Sequence, residues 1–448
     1  MVEEASVIQK DITSYEHLSY LDEYINVENL VQDLGNGDVF PKNEIAKLTN
    51  VAGSVNKFSA FMNIYVSQIK HEEVNFKKFN SILFDQISYR KLKNVYFDRI
   101  DKSELDKNLG NVTNFIYERF HKEHRGIDET LAKRLKNQKD GYNSLLTFSC
   151  TEPNTIFFPV VQKVNDTIKF LMVVTSMRKD KIEYCIASSI IDLRKNTMIF
   201  LIRNNLNTNS SIDGICLDTK INIDSVYNWF KEEIVKKKLN IKIKQHNEEA
   251  ECNAMYTMHK ELINKVLETP RSIVREDTNN LKIIENSVTL ISKHIRNLNL
   301  NGAMRKDISL RIFNIFLSKY IEQEMSATKL RNTALKNKAF GFPTGLDFYG
   351  GSNAESSSKV KATKETPLVS EELFYDIYQS LDNSKELPHW RISWFKQFLY
   401  KDKKIPGGQL IQTTIYVKNG YFKIVFLPKN IDKKIITTVL NKVVEYLK

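Results

Sequence analysis

Cysteine is scarce in this sequence, which has four in 448 residues. They form no CxxC pair and show no zinc-like spacing, which argues against a zinc module and against a disulfide framework. Isolated cysteines are typical of small core side chains in a reducing compartment. We therefore expect a cytoplasmic protein in which the thiols stay free. The four residues are Cys150, Cys185, Cys216 and Cys252.

Long apolar runs are also missing. No stretch approaches the roughly 18 consecutive apolar residues that predict a membrane span. The first five residues, Met1 to Ala5, include two acids and no apolar segment of the kind that a signal peptide needs. These absences predict a protein with no membrane partner.

The motifs of common enzyme classes are absent as well. The sequence contains no GxGxxG, no Walker phosphate loop and no GxSxG, and its eight histidines are scattered. We therefore expect no cofactor, no metal and no catalytic residues. One catalytic alternative stays open, a metal-dependent nuclease that uses acids on or beside the central sheet. Its candidate acids are Glu183, Asp192 (with Arg194 and Lys195 nearby), Asp213 and Asp218. The same acids are also explained as residues that cap turns and helices.

Dense β-like runs are what the chain does contain, in residues 155–202. The runs are rich in β-branched and aromatic residues, as half-buried strands prefer. Short turn sequences separate them, including Asn165-Asp166 and Lys195-Asn196. This pattern predicts a central antiparallel β-meander. Helical periodicity on both sides of it gives the fold class, which is α+β.

The length of the chain predicts more than one domain. We expect a helical region over 1–145, then the central sheet with a helical bundle over 146–340. Residues 341–368 are rich in Gly, Ser, Lys and Thr, which predicts a linker. Residues 369–448 end the chain as a ββα module, because Asn419-Gly420 is a strong hairpin signal and a helical pattern follows it. The helix should cover one face of that sheet and leave the other available.

Charge is distributed unevenly along the sequence. The formal net charge is +12, but residues 1–40 hold nine acids and one base, Lys10. Residues 389–448 hold twelve bases and three acids. Such asymmetry predicts a basic docking face and an acidic arm, although two solvated surfaces would give the same counts.

Cations interleaved with aromatic side chains at the basic end favour nucleic-acid binding, since phosphates attract cations and bases stack on flat rings. We expect a non-catalytic DNA- or RNA-binding protein, one component of a larger complex that includes a protein partner. The alternative is a protein–protein interaction subunit with no direct nucleic-acid contact. The candidate nucleic-acid-binding residues are Arg391, Lys396, Lys401, Lys403, Lys404, Lys418, Lys423 and Trp394.

Overall fold

A computed structural model describes most of the chain, which divides into two compact units. The first unit is residues 1–244 with 429–433, and the second is residues 245–428 with 434–448. Several predictions fall outside the described residues: most of the acidic arm, Cys150, Cys216, Asp213, Asp218 and Lys403. The described residues are 24–36, 73–101, 109–123, 141–143, 145, 154–178, 181–203, 222–275, 279–349, 357–402, 404–405, 409–418, 420–428 and 431–447.

The described part of the first unit contains six antiparallel strands, in the order β2-β3-β4-β5-β6-β1. Sequential neighbours β3 to β6 pair in turn, so the predicted meander and the α+β class are confirmed. β1, which precedes the other five strands in the sequence, pairs with β6. The strands are β1 Asn94–Arg99, β2 Gly141–Asn143, β3 Ile156–Val164, β4 Thr167–Arg178, β5 Lys181–Asp192 and β6 Thr197–Ile202.

Turn residues fix the register of the meander. Asn165 and Asn196 both adopt positive φ, 54° and 53°, which asparagine tolerates better than most residues. Asp192 accepts hydrogen bonds from the backbone N–H groups of Arg194 and Lys195, at 3.1 and 2.9 Å. The side chain of Asp192 therefore closes the β5–β6 turn, as the cap interpretation predicted.

Helices flank this sheet in the first unit. They are α1 Val27–Asn36, α2 Glu73–Arg90, α3 Gly110–Glu123 and α4 Ile223–Trp229, and α4 continues into a π-helix, Phe230–Lys238. Asn222 caps α4, because its side chain accepts a hydrogen bond from the N–H of Ser225. The π-helix is unusually long for a conformation that mostly occurs as single-turn bulges.

A buried polar cluster joins α4 and the π-helix to β1. Asp98 on β1 is fully buried; one carboxylate oxygen accepts from Lys231 Nζ at 2.9 Å, the other from Tyr227 Oη at 2.7 Å. Tyr96 stacks on Tyr227 with ring centroids 4.2 Å apart and donates a hydrogen bond to Asp224. Burial, followed by the charge of Asp98, raises the pKa of Tyr227 well above its ordinary value. The cluster ties two helical segments to β1 through one carboxylate.

The described part of the second unit contains five antiparallel strands, in the order β11-β10-β9-β7-β8. Its helices are α5 Glu248–Arg275, α6 Asn279–His294, α7 Gly302–Glu324, α8 Ala327–Lys336, α9 Glu372–Ser384, α10 Lys396–Tyr400 and α11 Lys433–Tyr446. No helix in the described residues of either unit is long and apolar enough to cross a membrane. The strands are β7 Gly341–Tyr349, β8 Ser357–Lys361, β9 His389–Phe395, β10 Leu410–Lys418 and β11 Tyr421–Phe426.

The described part of the predicted linker, residues 341–349 and 357–368, contains two strands. β7 pairs with β9 and β8 pairs with β7. Gly341 is required by the close approach of β9, because a Cβ atom there would lie 2.4 Å from the carbonyl oxygen of Ser393. Gly345 follows a register shift of the kind that glycine permits in strands. Gly341 and Gly345 therefore mark tight strand contacts.

The boundary between the units also differs from the predicted one. The helical bundle α5–α8 belongs to the same unit as the C-terminal strands and not to the unit of the meander. The physical reason is the packing of α5, which contacts both β7 and β10. α5 also continues past Pro270 to Arg275. The hairpin β10–β11 followed by α11 is the predicted ββα arrangement, extended by β7, β8 and β9.

The burial of His259 in α5 predicts that the second unit loses stability in acid. The imidazole ring is buried against Trp390, with centroids 5.5 Å apart, and burial lowers the pKa of His259 to about 3. An unfolded chain takes up the proton near pH 6.5, so the unfolded state binds more protons below that pH. Stability should therefore fall as the pH drops from 6.5 towards 3, by about 2 kcal/mol at pH 5.

The variant His259→Phe tests this expectation. It keeps an aromatic ring between α5 and β9 but removes the titrating group. Urea unfolding at pH 7 and pH 5 should show a smaller pH effect in the variant than in the parent. An identical pH effect in both proteins would assign the acid sensitivity to other groups.

Candidate nucleic-acid interface

The sheet of the second unit has two chemically different faces. Alternate residues of β9, namely Trp390, Ile392 and Trp394, are fully buried on the face that α5 covers. The residues that alternate with them are His389, Arg391 and Ser393. These point to the other side, because side chains alternate along a strand. His389 and Arg391 are partly exposed and belong to the candidate interface, whereas Ser393 is fully buried and donates a hydrogen bond to the carbonyl oxygen of Lys364.

One row of side chains crosses all five strands of this face. Residues directly opposite each other in antiparallel strands share a face, and four consecutive pairings connect the row. Asp347 lies opposite Lys359 and also opposite His389; His389 lies opposite Tyr416; and Tyr416 lies opposite Lys423. A cation therefore stands at each end of the row, with an acid and two rings between them.

The centre of the row is held by short contacts. His389 Nδ1 donates to Asp347 Oδ2 at 2.6 Å, and Lys359 Nζ lies 3.0 Å from the same oxygen. The His389 ring stacks on Tyr416, with centroids 4.3 Å apart and planes 13° from parallel. The result is a fixed, partly exposed pair of stacked rings.

The pKa values of this pair follow from its surroundings. Partial burial raises the pKa of Asp347, but hydrogen bonds from Lys359 and His389 outweigh it, so the net shift is downward. Burial lowers the pKa of His389, and the attraction of Asp347 only partly offsets that effect. At neutral pH the Asp347 carboxylate is therefore charged and the imidazole is neutral.

A second row beside the first brings two more cations together. Gly345 lies opposite Arg391 on one side and Lys361 on the other. A Cβ atom on Gly345 would come 3.3 Å from the carbonyl oxygen of Val360 and 3.6 Å from Arg391 Cβ. Because Gly345 has no side chain, the surface of the sheet is indented at this position. The result is a shallow depression with polar and charged lining residues Asp347, Lys359, Lys361, His389 and Arg391.

The β10–β11 hairpin adds the remaining cations of this face. Lys418 is exposed, and its Nζ lies 5.9 Å from the centre of the Tyr421 ring. Lys423 is 8% exposed and lies over both Tyr416 and Tyr421, at 5.3 and 5.4 Å. We call Lys359, Lys361, Arg391, Lys418 and Lys423, together with His389 and Tyr416, the cationic face. The described strands of the second unit contain one acid, Asp347.

The structure divides the predicted binding residues into separate groups. Arg391, Lys418 and Lys423 lie on the cationic face. Lys396, Lys401 and Lys404 lie at α10 and the turn after it, beyond the end of β9, so about 16 Å of strand separates Arg391 from Lys396. Lys401 and Lys404 are exposed there, while Lys403 lies outside the described residues.

Trp394, which was expected to stack on a base, is a core residue. Its side chain has no exposed surface, and its Nε1 donates to Thr413 Oγ1 at 2.8 Å. The ring stacks on Phe340 at 5.4 Å. With both faces enclosed and its donor satisfied, Trp394 offers nothing to a ligand.

Several residues of the cationic face were not among the predicted ones. Lys359 and Lys361, together with the adjacent Asp347, belong to the segment interpreted as a linker, and His389 was not singled out. A usable signal was present in Ser358 to Ala362, where Lys359 and Lys361 alternate with Val360 and Ala362 as in a one-sided strand. The pairing of that strand with β7 is what brings its lysines to Arg391.

Of the acids of the nuclease alternative, the structure describes Glu183 and Asp192, and these two do not meet. Glu183 and Asp192 lie near opposite ends of β5, about 30 Å apart along the strand. Asp192 is engaged in its turn, and Arg194 pairs with Asp166 at 2.5 Å. In the described part of the chain, no three His, Cys, Asp or Glu side chains are grouped to hold a metal ion.

Comparison with known proteins adds no relative to this description. No protein-family model matches the chain, and no curated protein or solved structure is significantly similar to it.

Proposed function

We propose that this protein binds nucleic acid without catalysing a reaction, and that the cationic face is the contact surface. The observation that carries the proposal is the placement of Lys361, Arg391 and Lys418 around the stacked pair His389–Tyr416. Cations are needed for the phosphate backbone, and a partly exposed ring is needed for a base or sugar. Both occur together on one sheet face.

The charge of the whole second unit supports this proposal. Its sequence holds 29 Lys and Arg against 21 Asp and Glu, a net charge of +8, although it is less than half of the chain. A surface of this sign attracts a polyanion at long range and orients it before contact. The ligand class is DNA or RNA with accessible bases, since a ring stacked on a flat sheet contacts unpaired bases best.

Salt titration tests the electrostatic part of this proposal. Affinity for a labelled oligonucleotide should fall by about 0.7 to 0.9 log units per phosphate contact for each tenfold rise in salt. The variant Lys361→Glu/Arg391→Glu should bind more weakly and show a shallower salt slope, because it removes two of those contacts. Fluorescence anisotropy with single- and double-stranded DNA and RNA would measure both quantities.

Two matched variants locate the contact. Lys336→Glu/Lys385→Glu reverses two exposed lysines away from the cationic face and should leave the slope unchanged. Lys401→Glu/Lys404→Glu reverses the group after α10 and should have the smaller effect. If that variant loses affinity while Lys361→Glu/Arg391→Glu binds like the parent, the nucleic acid contacts the α10 turn and the cationic face is a solvated surface.

A role in a larger assembly is the second candidate function. The observation that favours it is a set of exposed apolar side chains on α6 and α7, which is typical of a contact surface. This role is compatible with nucleic-acid binding, because the exposed side chains of α6 and α7 are apolar whereas the cationic face is charged. The free thiols of Cys185 and Cys252, both buried, support our placement of the protein in the cytoplasm.

A further inference from the structure

The two cations that flank Gly345 have no acid to neutralise them. Gly345 on β7 lies opposite Lys361 on β8 and opposite Arg391 on β9, so both cations belong to one row of the cationic face. Lys361 is exposed and Arg391 is partly exposed. Neither side chain forms an ion pair with a described acid. Two positive charges are therefore available on either side of one residue that has no side chain.

The acid beside this row, Asp347, is already engaged. Lys359 Nζ lies 3.0 Å from Asp347 Oδ2, and His389 Nδ1 donates to the same oxygen at 2.6 Å. The charges of Asp347 and Lys359 balance each other at neutral pH. The depression over Gly345 therefore keeps the charges of Lys361 and Arg391, which attract an anion.

A phosphate monoester matches this arrangement of charge. It carries about −1.5 to −2 charges near neutral pH and offers three acceptor oxygens, whereas an internal phosphodiester carries a single charge. Arginine binds phosphate oxygens in pairs, and lysine adds a point charge. Two strand spacings, about 9–10 Å, separate the backbones of Lys361 and Arg391, so both side chains can reach one phosphate above Gly345.

The stacked rings and Lys418 continue from this point along the sheet. His389 lies two residues from Arg391 on β9, about 7 Å away, which is comparable to the span from the phosphate to the base of one nucleotide. Tyr416 stacks on His389. Lys418 is exposed and lies about 13–14 Å along β10 from Thr414, the residue opposite Arg391. Two cations at one point, then the rings, then one exposed lysine is an order that fits the end of a strand.

We propose that the depression over Gly345 binds the terminal phosphate of a nucleic-acid strand, between Lys361 and Arg391, with the first base on the His389–Tyr416 pair. This inference rests on the proposed function, because it assigns one end of the ligand to the cationic face. The preferred ligand is a strand that ends in a phosphate monoester. A strand that ends in a hydroxyl group is the weaker competitor.

Four versions of one single-stranded oligonucleotide test the proposal, each made in DNA and in RNA and labelled at an internal base. One carries a 5′-phosphate, one a 3′-phosphate and one hydroxyls at both ends; the fourth also ends in hydroxyls but is one nucleotide longer. In anisotropy titrations of the full chain, one phosphorylated version should bind at least about threefold more tightly than the unphosphorylated one, because it adds ion pairs to two partly exposed cations. The longer version adds backbone charge without a terminal phosphate and should show no such gain.

Variants of the chain locate the preference. Lys361→Gln/Arg391→Gln should abolish it, because the phosphorylated version loses both of its added ion pairs. Lys418→Gln should weaken the binding of every version by a similar factor and keep the preference. Lys306→Gln/Lys336→Gln, which changes two exposed lysines of α7 and α8, should alter neither quantity. Circular dichroism should show that all three variants keep the parent's fold.

The two proposals fail in distinguishable ways. If no version binds, the proposed function is wrong, and this inference is wrong with it. If all versions bind equally, or if Lys361→Gln/Arg391→Gln keeps the preference, nucleic-acid binding stands and the terminal-phosphate site is overturned. An equal gain from the longer version would also overturn it. Displacement of the oligonucleotide by an equal concentration of thymidine 5′-monophosphate would assign the depression to a free nucleotide instead.

Discussion

Replacing Asp98 with alanine should lower the free energy of unfolding by about 3–5 kcal/mol. The carboxylate of Asp98 is fully buried, and Lys231 beside it is almost as deeply buried. Alanine would leave the ammonium group of Lys231 in the protein interior without that counter-charge. The hydroxyl of Tyr227 would lose its acceptor at the same time. Urea unfolding followed by circular dichroism would measure the loss.

Two comparison variants separate burial from charge. Asp166→Ala removes an exposed carboxylate that lies 2.5 Å from Arg194, and it should cost no more than about 1 kcal/mol. Asp98→Ala/Lys231→Met removes both buried charges and should be more stable than Asp98→Ala alone, because no isolated charge remains. If the double variant is the less stable of the two, the cost comes from lost packing and not from the ion pair.

Trp394→Ala should also cost about 3–5 kcal/mol of stability, as is usual when a large aromatic core residue is truncated. The indole is enclosed between Phe340 and neighbouring core residues, and alanine would leave a cavity under β9. The variant's folded molecules should bind nucleic acid like the parent, because Trp394 does not reach the cationic face.

Tyr416→Ala is the matched variant on the other side of the sheet. Its ring stacks on His389 at the partly exposed centre of the cationic face, so it should lose about 1–3 kcal/mol of binding with a smaller loss of stability. Unfolding midpoints and anisotropy titrations, measured on both variants, give the comparison. If Trp394→Ala stays stable and binds weakly, the tryptophan contacts the ligand and is not a core residue.

The meander was predictable because its signals are local. Two-residue turns such as Asn165-Asp166 stand directly between runs of β-branched residues, and each strand pairs with the next one along the chain. The Asn419-Gly420 turn predicted β10 and β11 in the same way, and Gly420 has the positive φ that this turn needs. Nothing beyond the neighbouring residues is required to fix these elements.

β7 was missed because its stability is not local. Gly341, Pro343 and Gly345 are typical of loops, and they form a strand only because β9, nearly fifty residues later, lies close beside them. Two residues of the cationic face, Lys359 and Lys361, depend on that pairing, so they and Asp347 could not be placed next to Arg391 from the sequence. The burial of Trp394 was easier to predict from the sequence. Trp394 shares its side of the strand with Ile392, while the polar Arg391 and Ser393 lie on the other side.

The packing of α5 on β10 has a consequence for synthesis of the chain. α5 leaves the ribosome about 130 residues before β10. At about 5–20 residues per second, that delay is roughly six to twenty-six seconds. Until β7 is made, the apolar stripe of α5, which includes Met255, Leu262, Ile263 and Val266, has no sheet to cover it, and until β10 is made that cover is incomplete. Nascent chains that stop before residue 410 should therefore associate with chaperones or aggregate, while the six strands of the first unit, all encoded before residue 203, have already been made.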